Sequence, residues 1–172
     1  MRRVRRYPTA GLTTCIILLT LVVWRLSTTP EVPRALPATG IETVITRVVD
    51  GDTLIIETGE RIRLLGVDTP ETKHPNRPAE PWGHEASEFT RQHVEGQRVQ
   101  LEFDRERQDR YGRWLAYVFR DDWFLNEELI RQGYSRAETR FPFRSDRQRL
   151  FRKAEQEARD ERRGIWSDVP SR

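Results

Sequence analysis

The chain has 172 residues, a third of them charged, and a formal net charge of +3. The first thirty residues hold five arginines and no acid, so the remainder carries 25 bases against 27 acids. That balance argues against a duplex-binding module held by overall charge, and the single cysteine, Cys15, excludes an intramolecular disulfide and a cysteine metal site.

The chain opens on the basic flank MRRVRR. Tyr7–Trp24 follows without a charge, with its apolar core at Cys15–Trp24. A helix of that length reaches about 27 Å, enough for a thin bilayer, with Tyr7 and Trp24 suited to its two interfaces. Residues 1–26 therefore read as a basic flank with a transmembrane anchor or a signal segment. Small residues at cleavage positions do not follow Trp24 closely, which favours the uncleaved anchor helix over a cleaved leader. Basic residues ahead of the run keep the N-terminus in the cytoplasm, so the rest is expected outside it, extracellular or periplasmic, and secreted if the leader is removed. Residues 27–40, STTPEVPRALPATG, form an extended linker with three prolines.

From Ile41 the period changes. Ile41–Val49 is rich in β-branched residues and reads as a strand, with Asp50-Gly51 as its turn. Thr53–Glu57 and Arg61–Val67 are the next strands. Four prolines make Thr69–Pro81 a loop, in which Lys73, His74 and Arg77 read as electrostatic guides for a polyanion. His84–Glu95 is a helix closed by Gly96, with Ala86, Phe89, Gln92 and His93 near one another. Arg98–Phe103 and Trp114–Phe119 are strands. Phe124–Gln132 is a helix, and a last helix capped by Asp146 runs to Arg163 with Leu150, Phe151, Ala154 and Ala158 inward. Three strands, a helix, two strands and then helices is the order of an OB-fold: an α+β domain over 41–168, built as a five-stranded β-barrel with three helices and followed by a tail at 169–172.

The chemistry concentrates in VVDGDT (Val48–Thr53) and RIRLLGVDTPET (Arg61–Thr72). Asp52 and Asp68 are hard-oxygen candidates for a cation, Glu71 is a candidate proton acceptor and Arg63 presents a planar fork to phosphate. Taken singly, each has a plainer reading: a turn aspartate, a strand-end aspartate, a solvated loop glutamate and an outward strand arginine. Their joint spacing is what favours a metal-assisted phosphodiesterase. Carboxylates without histidine or cysteine partners suit Ca²⁺ better than Zn²⁺.

VDGDT, RLLGVDTPET, the helix start GHEAS, DRYGR, LIRQG and GIWS occur in that order, and together they resemble the thermonuclease (staphylococcal nuclease) family from about Ile41 to about Ser167. The resemblance implies Asp52, Asp68 and the backbone carbonyl of Thr69 as Ca²⁺ ligands, and Glu71 as general base. It implies Arg63 and Arg113 as catalytic phosphate-clamping arginines, and Arg110 and Tyr111 as substrate contacts, though Tyr111 reads equally as a packed rim residue. It further implies a monomeric catalytic domain acting on DNA and RNA with little sequence preference and leaving 3′-phosphates. Thr139 and Phe141 stand where the family has two tyrosines that contact base and phosphate. Trp166 reads as structural. The alternative is a non-catalytic OB-fold nucleic-acid-binding module anchored at the cell surface, which would have no need of Glu71.

Overall fold

A computed structural model of the chain describes residues 40–72 and 78–167. The expected anchor and linker before Gly40, the loop residues Lys73, His74 and Arg77, and the C-terminal tail lie outside the described residues. The elements in chain order are β1 (Ile41–Asp50), β2 (Thr53–Ile56), β3 (Arg61–Leu64), β4 (Val67–Asp68), α1 (Gly83–Val94), β5 (Arg98–Gln108), β6 (Trp114–Arg120), β7 (Trp123–Phe124), α2 (Leu125–Arg131), β8 (Arg136–Ala137) and α3 (Ser145–Asp160), then a 3-10 turn over Gly164–Trp166.

β1 is long enough to serve two neighbours. Its first half pairs antiparallel with β5, Ile41 opposite Leu101, and its second half with β2, Ile45 opposite Ile56. Irregularities at Ile45–Arg47 and Val48–Asp50 bend it between the two. β2 pairs with β3 and β5 with β6, both antiparallel. The parallel pairing of β3 with β6, Ile62 opposite Trp114, closes the ring into a five-stranded barrel. Closure leaves none of these five strands as a free edge.

The barrel is filled by side chains from alternate strand positions, among them Ile45, Leu54, Ile56, Ile62, Leu64, Leu101, Ala116 and Val118, all fully or almost fully buried. α3 contributes Phe151, Ala154 and Ala158, as its period predicts, and Phe151 meets Tyr117, Phe124 and Phe143 in one aromatic cluster. α2 is pinned by the fully buried Asn126. Its side-chain oxygen accepts from the Val118 N–H at 3.0 Å, and its amide donates to the carbonyls of Leu65 at 2.9 Å and Ala116 at 3.3 Å.

Three local expectations change. The strand expected over Arg61–Val67 is two strands, β3 and β4, because Gly66 takes φ +71 and turns the chain. β5 runs to Gln108 rather than Phe103. Beyond Phe103 a register shift sets residues 104–107 opposite Leu115 alone, so the side chains stop alternating between core and solvent before the pairing resumes at Gln108 opposite Trp114. Asp146 does not cap α3. It lies in the first turn with its carboxylate taken by the Arg144 guanidinium at 2.8 and 3.2 Å. α1 buries Ala86, Ser87, Thr90 and Val94, while Phe89 and His93 form a shoulder against Trp123.

Candidate active site

Asp52 occupies the two-residue turn that joins β1 to β2, where Asp50 pairs with Thr53. It is 3% exposed, a burial a carboxylate tolerates only with partners. Its Oδ2 accepts from the backbone N–H and the hydroxyl of Thr69, both at 3.0 Å, and its Oδ1 accepts from the Thr53 hydroxyl at 3.1 Å. The Arg63 guanidinium forms an ion pair with the same Oδ1.

Arg63 sits mid-strand between β2 and β6, opposite Thr53 and Leu115, with Ile62 and Leu64 on either side turned into the core. Strand geometry thus sends its side chain out of the barrel on the side of Asp52. Its second amino group donates to Asp68 Oδ1 at 3.0 Å, so one guanidinium spans both aspartates. Burial pulls the Arg63 guanidinium below its ordinary value, Asp68 opposes this, and the nearby Arg113 charge adds to it.

Asp68 lies on β4 and is half exposed, held by its backbone N–H, which donates to the buried Ser135 hydroxyl at 2.8 Å. The chain then passes Thr69 and Pro70 to Glu71, an exposed residue whose backbone is paired both ways with Glu80. The start of α1 packs against this loop. A Cβ at Gly83 would stand 2.9 Å from the Pro70 carbonyl and 3.2 Å from that of Glu71, so only glycine lets the helix come this close.

Arg113 comes from the β5–β6 hairpin. Asp109 organises that turn: its Oδ1 accepts from the backbone N–H groups of Tyr111 at 2.9 Å and Arg113 at 3.0 Å, and its Oδ2 accepts from Arg113 Nε at 2.7 Å. Burial pushes Asp109 up, but these donors outweigh it and leave the carboxyl below its usual range. Tyr111 is 69% exposed, its ring lies against the guanidinium groups of Arg110 and Arg113, and its hydroxyl accepts from Arg110 at 2.8 Å. Arg63, Arg110, Tyr111 and Arg113 line one cleft of about 470 Å³ together with Glu138 and Phe141.

The structure therefore brings Asp52, Arg63, Asp68 and Thr69 into direct contact and sets Arg110, Tyr111 and Arg113 on the same cleft as Arg63. Glu71 comes from the adjoining loop on the α1 side. Of the two altered positions, Phe141 is 64% exposed on the cleft, while the Thr139 hydroxyl accepts from Arg152 at 3.3 Å. Trp166 is buried, with the Arg159 guanidinium 3.6 Å from its ring centre. The sequence reading missed Asp109, Ser135 and the Glu138–Arg140 pair. Asp109 had a signal, an aspartate opening a turn that closes on glycine. Ser135 had none, because its partner Asp68 is 67 residues away.

The donor set fits a hard divalent cation. Two carboxylates that share one guanidinium are near enough to share one cation. Among the described residues no cluster of three or more His, Cys, Asp or Glu side chains converges, so water and phosphate would complete the sphere.

Residues 61–168 match the family described as staphylococcal nuclease homologue. The thermonuclease of Staphylococcus intermedius is 47% identical over 127 residues, covering 72% of this chain and 74% of that one. The thermonuclease of Staphylococcus hyicus is 42% identical over 127 residues, 72% of this chain and 75% of its own length. Endonuclease YncB of Bacillus subtilis (strain 168) is 39% identical over 131 residues, 74% of this chain and 62% of the relative. With the barrel closed as the ordered motifs require and with relatives of this reach, the chain belongs to the staphylococcal nuclease family and is a nuclease.

Proposed function

We propose that the protein is a Ca²⁺-dependent nuclease that hydrolyses DNA and RNA with little sequence preference and leaves 3′-phosphates. The observation that carries this reading is the junction of Asp52 and Asp68 on the single guanidinium of Arg63, beside a cleft that also presents Arg113. Asp52, Asp68 and the Thr69 carbonyl would hold the ion, and when bound it would supply Lewis-acid charge stabilisation at the scissile phosphate.

The chain's own groups do the rest. Glu71 takes a proton from water, whose oxygen adds to phosphorus. The P–O5′ bond breaks, the 5′ oxygen takes a proton from solvent and Glu71 returns its own to solvent, leaving phosphate on the 3′ side and a hydroxyl on the 5′ side. Arg63 and Arg113 donate to the phosphate oxygens as negative charge gathers there, and both stay protonated throughout. Asp109 keeps the Arg113 fork aimed before substrate arrives, so less ordering is left for the moment of reaction. Tyr111 and Phe141, both exposed at the cleft, offer flat faces to unstacked bases, which favours single strands or frayed ends over intact duplex.

The test is cleavage of end-labelled single-stranded DNA, duplex DNA and RNA by purified protein, with Ca²⁺ and with excess chelator. Products should resist polymerase extension until treated with a 3′-phosphatase. Undiminished cutting in chelator would sink the metal assignment, and ends that extend directly would sink the bond assignment.

A further inference from the structure

The Glu138–Arg140 pair belongs to none of the roles assigned above. Glu138 follows β8, and its backbone N–H donates to the Gly66 carbonyl at 3.0 Å, which ties this segment to the turn between Arg63 and Asp68. Its carboxylate lines the same cleft as Arg63 and Arg113. Arg140 grips that carboxylate on two sides: Nε lies 2.9 Å from Oε1 and 3.0 Å from Oε2, and one amino group also donates to Oε2. The Arg140 backbone N–H adds a bond to Oε1 at 3.0 Å. These contacts push Glu138 below its usual range and Arg140 above its own, with Asp68 contributing to the latter.

The Arg140 side chain is nonetheless 82% exposed. An ion pair so open to water contributes little to stability, so the fold gives scant reason for the fixed fork. What the pair does is hold a guanidinium between Glu138 and Phe141, two residues that line the cleft. Glu138 engages Nε and one amino group, so its carboxylate does not take the donors of the other amino group. The next residue, Phe141, presents an exposed ring on the cleft. Thr139 and Phe141 lack the two phenol hydroxyls of the family pattern, and Arg140 stands between them.

We propose that Arg140, oriented by Glu138, is a substrate-binding residue that contacts a backbone phosphate of the nucleotide whose base rests on Phe141. The proposal rests on reading this cleft as the substrate groove. Arg140 binds; it takes no part in bond breaking.

The test measures the equilibrium affinity of the full chain for a fluorescein-labelled oligothymidylate across a salt series in chelator. Wild type is compared with Arg140→Ala, Arg140→Lys and Arg98→Ala. Arg98 is an exposed arginine at the far end of β5 from the cleft. Arg140→Ala should weaken binding about 5- to 10-fold and take about 0.7 from the log–log salt slope, the share of one phosphate contact on a single strand. Arg140→Lys should restore the slope and part of the affinity, since it keeps the charge and loses the fork. Thermal midpoints should stay together. In Ca²⁺, Arg140→Ala should raise KM and leave kcat within about twofold. Equal losses in Arg140→Ala and Arg98→Ala, or no loss in either, would overturn the proposal. Wild-type cleavage is scored separately, so failure of the nuclease reading shows there and leaves the binding comparison intact.

Discussion

At the scale of the residue, Asp52, Arg63, Asp68, Glu71 and Arg113 divide into groups that should fail differently. Glu71→Gln keeps shape and removes basicity, and loss of a positioned acid–base group typically costs about 10²- to 10⁴-fold in rate. Arg113→Ala strips charge stabilisation and should cost on the order of 3 kcal/mol of barrier. Both variants should still take up Ca²⁺, whereas Asp68→Ala should lose uptake and cleavage together. Single-turnover rates beside calorimetric Ca²⁺ titrations read the pattern. Wild-type rates in Glu71→Gln would return that residue to the role of a solvated loop glutamate. Much of this site was legible in the sequence because Asp52, Arg63, Asp68 and Glu71 fall within twenty residues and a known motif order carries them. Less legible was what positions them. Ser135 holds Asp68 across 67 residues and Asn126 holds the Leu65 carbonyl across 61, and no local pattern encodes contacts of that separation.

At the scale of the element, strand period and turn chemistry located the barrel strands, and the failures lie where tertiary context overrides local pattern. The run Arg61–Val67 looks continuous in hydropathy, yet a single left-handed glycine divides it and sends Asp68 toward β8 instead of along β3. The outer half of β5 reads as charged loop because a register shift after Phe103 breaks its alternation. The join between α1 and the Glu71 loop yields a prediction of its own. Gly83→Ala would drive a methyl group into the Pro70 carbonyl and against the Thr72 side chain, 3.0 Å away. The helix is braced by its own backbone hydrogen bonds, so the backbone at Pro70 and Glu71 should move and carry the Glu71 side chain with it. A displacement of about 1 Å at a catalytic group costs on the order of 10²-fold. The expected result is a kcat reduced at least tenfold with a thermal midpoint lowered by only a few degrees. A midpoint collapse with normal kcat in the folded fraction would place the strain in the helix instead.

At the scale of the whole molecule, the barrel and the α3 side are joined through Asp104. Its carboxylate accepts from the Tyr117 hydroxyl at 2.9 Å, from the Arg144 N–H at 2.8 Å and from the Arg105 N–H at 2.7 Å. Burial pushes Asp104 up, but these donors prevail and its folded value lies below the usual carboxylate range. Asp109 behaves likewise. A carboxyl lowered by folding lends stability that is present above its unfolded value, about 3.9, and is lost as the pH falls through the folded value. Thermal midpoints should therefore be insensitive to these groups from pH 7 to about 5 and decline below about 4. Asp104→Asn should lower the midpoint at neutral pH and flatten the acid decline. A decline equally steep in the variant would move the acid-sensitive contact elsewhere.

Arg63 is claimed twice. It spans the two carboxylates proposed for the cation, and it is the arginine proposed for the phosphate. One guanidinium cannot serve both at full strength, so under the proposed mechanism Arg63 would compete with the cation for Asp52 and Asp68. On that reading, a cation that took the aspartates would release Arg63, and a phosphate that drew Arg63 away would bare the aspartates. The two ligands should therefore each tighten the other, by the reciprocity that governs any pair of linked equilibria. Arg63→Ala should sever that coupling. Its Ca²⁺ affinity should rise and no longer respond to a non-hydrolysable dinucleotide, although cleavage is lost. Calorimetry with and without the dinucleotide reads this directly, and a variant whose Ca²⁺ affinity falls would show Arg63 to be a support of the ion rather than its rival.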